Sequence, residues 1–172
     1  MYRIGEYVIY GHDGVCRVEE IGALGHSGPD RERQYYRLTP KYHSGTIFVP
    51  VEGTRIVMRP LITAEELEAL LLGFPELPLL EDIPAEGRQA GEYYRKLLAK
   101  HSCSELLQLC KTLHVKQHAK TRSRSKINAT DQRSWKTAEE MLLEEFAFVW
   151  SISPEEAGQR LNAVFAQHFA AG

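Results

Sequence analysis

The chain has 172 residues, with 21 Lys and Arg against 23 Asp and Glu and a hydrophobic fraction of 43%, a balance that allows one ordinary domain or two small ones and excludes disorder throughout. Its odd set of cysteines, at positions 16, 103 and 110, makes no disulfide framework and suits a reducing compartment. No apolar run approaches the ~20 residues of a membrane span and the opening residues lack a secretory apolar core, so a soluble cytoplasmic protein without membrane contact is expected.

Residues 4–10, IGEYVIY, alternate as a strand, and His12-Asp13-Gly14 supplies a tight turn into a second strand over Val15 to Ile21. A Gly- and Pro-containing loop from Gly22 to Glu32 leads to a third strand, Gln34 to Leu38. A fourth is expected over Thr46 to Val49 and a fifth near Arg55 to Met58. Strands this short leave exposed edges if the sheet stays open, so they are expected to curl into a small SH3-like or Tudor-like barrel spanning 1–62.

Thr63-Ala64-Glu65-Glu66 is a capping box that starts a helix running to about Leu72, where Gly73 stops it. Pro75, Pro78 and Pro84, set among acids, cannot continue a helix, so 63–86 is expected to be one helix followed by an acidic linker. Four further helices complete 87–172: roughly Arg88 to Lys100, one from the Ser102 capping box, one from near Thr130-Asp131, and one from Ser153-Pro154-Glu155-Glu156. Apolar residues recur at helical spacing, as Leu106, Leu109, Cys110 and Leu113, and as Trp135, Ala138, Leu142, Phe146 and Val149. These stripes must bury against one another. The fold class is therefore α+β in more than one domain, a β-barrel followed by an all-α bundle.

The near-neutral total conceals a segregation of charge. Residues 87–136 hold twelve Lys and Arg against three Asp and Glu, whereas 63–86 hold seven acids and no base. From Leu106 to Thr130 no acid interrupts Lys111, Lys116, Lys120, Arg122, Arg124 and Lys126. On a helix, Lys116, Lys120 and Arg124 share one face, so the field they create suits a phosphate backbone. The alternative is a solvated helix face. Tyr93 and Tyr94 stand together at the start of the bundle, where one can be buried and the other can stack on a base.

Cys110, His114 and His118 fall at i, i+4 and i+8, but no paired short spacing closes a zinc site, so no metal is expected; the cysteine reads as core. Trp135 lies on the apolar stripe and reads as core, and Trp150 as the cover of the junction with the last helix. No Gly-rich phosphate loop, GxSxG or catalytic carboxylate pair occurs, so neither enzyme activity, nor a cofactor, nor a small-molecule substrate is expected. The strand Thr46-Ile47-Phe48-Val49-Pro50 is apolar and ends in Pro. It is either core or an edge that a partner strand can join.

At this point the chain resembles the CarD family of bacterial transcription regulators, whose N-terminal module also occurs in transcription-repair coupling factor. The residues that carry the resemblance are IGEYVIYGHDGVCRVEEI at 4–21, Tyr35-Tyr36-Arg37-Leu38, and the strand ending Phe48-Val49-Pro50. The resemblance implies a barrel that binds the RNA polymerase β subunit by edge-strand pairing, through Thr46, Ile47, Phe48 and Val49 with Arg37 as a neighbour. It also implies a bundle that contacts promoter DNA near the melted region and modulates open-complex stability. Two departures from the family pattern stand out: Phe48 makes the docking strand more apolar, and residues 83–92 lack the Trp that some members place there as a wedge. The expected function is a transcription regulator that docks on polymerase and touches DNA nonspecifically. The alternatives are an adaptor without DNA contact, a free-standing DNA-binding protein, and a metal enzyme built on the His and Cys residues.

Overall fold

The computed structural model describes residues 1–25, 32–85, 87–123 and 126–170. The chain divides into two compact units, Met1–Leu61 and Ile62–Gly172.

The first unit is an antiparallel sheet of β1 (Tyr7–Tyr10), β2 (Gly14–Ala23), β3 (Gln34–Pro40), β4 (Ile47–Pro50) and β5 (Met58–Pro60), in the order β4-β3-β2-β1-β5. A short 3₁₀ turn, Gly11–Asp13, joins β1 to β2. Gly11 has φ +44°, and a Cβ there would lie 2.6 Å from Ile56 Cγ2, so both backbone and space require glycine. The register of β2 on β3 shifts between Val18 and Glu20, a bulge that bends the long strand. Strand alternation turns Val8, Tyr10, Cys16, Val18, Tyr36, Leu38 and Val49 into one apolar core.

The N-terminal residues straddle this core. Gly5 N–H donates to Val18 O at 2.7 Å and Val18 N–H to Glu6 O at 2.9 Å. The Tyr2 hydroxyl donates to Met58 O, and Tyr2 N–H to the Tyr36 hydroxyl, each at 3.1 Å. Tyr2 thus ties β3 to β5 across the open side, which makes the sheet barrel-like although no ladder between β4 and β5 occurs among the described residues.

The second unit comprises α1 (Ala64–Leu72), α2 (Gly87–Ala99), α3 (Cys103–Arg122), α4 (Ala129–Trp150) and α5 (Pro154–Ala170). Two capping boxes form reciprocally. The Thr63 hydroxyl accepts from Glu66 N–H and the Glu66 carboxylate from Thr63 N–H; Ser153 and Glu156 repeat the pattern. These bonds to Thr63 and Ser153 hold both glutamates below the usual carboxylate range. The cap of α4 is Asn128, whose Oδ1 accepts from Asp131 N–H at 2.8 Å, two residues before the Thr130 expected from composition.

The segment expected to be a linker after α1 is packed into this unit. Phe74 is fully buried, with its ring 4.6 Å from that of Phe165, and Leu80 N–H donates to the Thr112 hydroxyl at 2.9 Å. Prolines forbid a helix here, but they do not forbid packing, and the apolar residues between the acids give the segment something to bury.

Candidate docking edge and nucleic-acid interface

Among the described residues β4 pairs with β3 alone, opposing Ile47 to Leu38, Phe48 to Arg37, Val49 to Tyr36 and Pro50 to Tyr35. One step further along, Val51 N–H donates to Gln34 O at 2.9 Å. Hydrogen-bonded and open pairs alternate in an antiparallel ladder, so Val49 faces its partner through hydrogen bonds and Phe48 does not. The N–H and C=O of Phe48 therefore point away from β3, towards the free edge. Pro50 offers only a carbonyl there.

The side chains differ in the same alternation. Val49 is fully buried and Ile47 packs against the core, whereas Phe48 is 50% exposed. Arg37, beside Phe48, pairs through Nε with Glu20 Oε2 at 2.9 Å. Phe48 borders a shallow hollow of about 190 Å³ whose lining includes Ile4, Ala23, Leu24, Glu20 and Arg37. Ile4 is itself 64% exposed. Among the residues expected at this site, Arg37, Ile47, Phe48 and Val49 lie on adjoining strands, while Thr46 is exposed and precedes β4. Sequence reasoning missed Ile4 and Leu24, because nothing local marks residues so distant in the chain as neighbours of Phe48.

The basic set is not one surface. Lys111, expected to face DNA, is only 5% exposed, and its Nζ donates to the carbonyls of Phe74, Pro75 and Leu77 at 2.9, 2.9 and 2.8 Å. The ammonium also lies 5.0 Å from the centre of the Phe74 ring. Burial pulls its pKa down, and three carbonyl dipoles keep its proton engaged. Lys111 is a structural residue, which corrects the expectation. Lys116 is half-buried and pairs with the carboxylate of Asp131, which is itself 1% exposed.

Tyr94 is corrected too. It is buried, and its hydroxyl donates to Asp131 Oδ1 at 2.6 Å, so its ring cannot stack on a base. Burial, and then the Asp131 carboxylate, push its phenol well above the ordinary range. Tyr93 remains half-buried, edge-on to Tyr94 at 5.8 Å.

The cations left on the surface gather at the end of α3 and just beyond: Lys120 half-exposed, Arg122 and Lys126 exposed, none ion-paired among the described residues. Arg124 lies outside the described residues. On α2, Arg95 and Lys96 are likewise exposed without an ion pair among the described residues; sequence reasoning passed over them because Glu105 separates them from the acid-free run. By contrast, Arg88 pairs with Glu92 at 3.3 Å and Lys100 with Glu105 at 2.7 Å.

All three cysteines are buried thiols, and burial raises the pKa of Cys110. His114 stacks on Phe169 at 4.4 Å and 22° and lies 4.6 Å from His118, inside an aromatic cluster that also holds Trp135 and Phe165. No group of three His, Cys, Asp or Glu among the described residues is placed to hold a metal ion. Trp150 is half-buried beneath the Arg160 guanidinium of α5, 5.1 Å from its ring.

The five-stranded unit coincides with a known family. Residues 2–62 match the CarD-like/TRCF RID domain. This segment is a CarD-like/TRCF RID domain. RID domains are protein–protein interaction modules of transcription factors that bind the RNA polymerase β subunit, not catalytic domains, so the chain carries a transcription-related interaction module. The RID match ends where the helical unit begins. No curated protein matches the chain.

Proposed function

We propose that this protein is a bacterial transcription regulator that docks on the RNA polymerase β subunit through β4 of its RID domain. It touches promoter DNA through its helical unit and so modulates the stability of the open complex. The observation that carries the docking reading is the free edge of β4, where the backbone N–H and C=O of Phe48 face outward beside an exposed aromatic ring. A partner strand gains main-chain hydrogen bonds from that edge, and the hollow beside Phe48 and Ile4 can accept an apolar side chain from it. Phe48→Asp should weaken binding to purified β subunit by about thirtyfold or more, the scale of a central interface anchor, while leaving the sheet folded. Retained binding would remove β4 from the interface.

The DNA reading is supported by Lys120, Arg122 and Lys126, with Arg124 contributing to the same basic run in sequence. Contacts of this kind go to phosphates, so binding should be sequence-independent and steeply salt-dependent. The triple variant Lys120→Ala, Arg122→Ala, Lys126→Ala should lose duplex binding in fluorescence anisotropy and flatten the salt slope by about three phosphate contacts. Unchanged affinity would move the contact elsewhere, with Arg95 and Lys96 of α2 the next surface to examine. A second reading, an adaptor without DNA contact, gains weight from Lys111 and Lys116, because both cations are engaged inside the unit.

A further inference from the structure

The last turn of α3 combines cations that have no ion pair among the described residues with an exposed hydroxyl. Ser123 caps the helix: its N–H and its hydroxyl both donate to the Lys120 carbonyl, at 3.1 and 2.9 Å. The hydroxyl also reaches the Ala119 carbonyl at 3.5 Å; all of these contacts stay within the last turn of its own helix, so water can replace them. The residue is exposed, Lys120 and Arg122 precede it, and residues 126–128 form no helix before Asn128 caps α4. Three other hydroxyls of this unit are placed differently. Ser134 is buried, Thr112 is buried and bonded to Leu80 N–H and Gln108 O, and Thr121 sits within helical backbone with its hydroxyl on Gln117 O.

We propose that Ser123 is a phosphoacceptor for a serine/threonine kinase that selects basic substrates, and that its phosphate switches off the polyanion contact at the end of α3. The switch rests on the DNA reading above; the acceptor assignment does not. In the transfer, Ser123 Oγ attacks the γ-phosphorus of magnesium-bound ATP, the bond to the bridging oxygen of ADP breaks, and the hydroxyl proton passes to the kinase's base. The product is a phosphoserine carrying about −1.5 to −2 charges near neutrality. Lys120, Arg122 and Lys126 supply three positive charges, so one phosphate cancels about half to two thirds of them. It also lies at a helix C-terminus, where the free carbonyls already carry partial negative charge, and therefore loosens the last turn. Both effects weaken the same contact.

The test treats the full chain with the catalytic subunit of a cyclic-AMP-dependent protein kinase and magnesium ATP. Phosphate is mapped by mass spectrometry, and affinity for a duplex oligonucleotide is measured by fluorescence anisotropy. Phosphate should appear on Ser123 and weaken DNA binding by about tenfold or more at moderate salt. Ser123→Asp should shift affinity in the same direction by less, and Ser123→Ala should take no phosphate there and bind as the parent does. Phosphate absent from Ser123, or found only on Thr121 or Ser125, overturns the acceptor assignment. A phosphorylated chain of unchanged affinity overturns the switch. If the unmodified chain binds no DNA, the DNA reading itself fails and the switch with it, while the phosphate map still decides the acceptor.

Discussion

Lys111 and Lys120 belong to the same acid-free run, yet one is buried on three carbonyls and the other reaches solvent. Charge alone does not separate them, but helical position does: Lys111 directly follows Cys110 on the apolar stripe, and Lys120 lies beyond the end of it. Their substitutions should part accordingly. Lys111→Met strands carbonyls that had a donor and should cost about 1–3 kcal/mol of stability, read as a lowered thermal midpoint, while the folded fraction binds DNA as before. Lys120→Ala should leave the midpoint within error and reduce DNA affinity. The Tyr94 hydroxyl poses a similar contrast. Tyr94→Phe removes the donor to a buried carboxylate, and a cost of about 1.5–3 kcal/mol is expected from chemical denaturation. A neutral result would mean that Lys116 alone satisfies Asp131.

Among the helical elements, three starts were legible from a side chain that closes the first turn. Thr63, Ser102 and Ser153 all cap as their residue types require. Asn128 was not, because Thr130-Asp131 offers an equally good local signal and only the structure chooses between them. The segment after α1 was misleading for another reason: proline reports backbone conformation, whereas burial depends on Phe74 finding α5 and Lys111, which no local pattern encodes. That ring cluster has a pH consequence. Burial, and then His118, lower the pKa of His114 below its ordinary value near 6.5. The unfolded chain therefore takes up a proton before the folded one does. Stability from this group is fully present above the unfolded pKa and falls as pH drops through about 6.5 towards the lowered folded value. Both tryptophans lie in this unit, so tryptophan fluorescence reads its unfolding alone. Its midpoint should fall on acidification, and His114→Gln should flatten the dependence. An equally steep profile in the variant would assign the slope to other groups of the unit.

For the whole molecule, two units of opposite character were legible from the change near Pro60, from β-branched alternation to helical stripes and caps. The order of strands was not, since alternation says which face is buried and nothing about which neighbour a strand takes. The edge at β4, and hence the role of Phe48, depends on that order. So does the hollow that Ile4 and Leu24 complete. The central claim, that this edge docks the protein on RNA polymerase, is tested most directly by titrating the full chain and its Phe48→Asp variant into purified β subunit by calorimetry. The expected result is saturable one-to-one binding by the parent and a loss of about thirtyfold or more in the variant, with both chains giving the same circular dichroism. Binding by neither chain, or equally by both, would contradict the account.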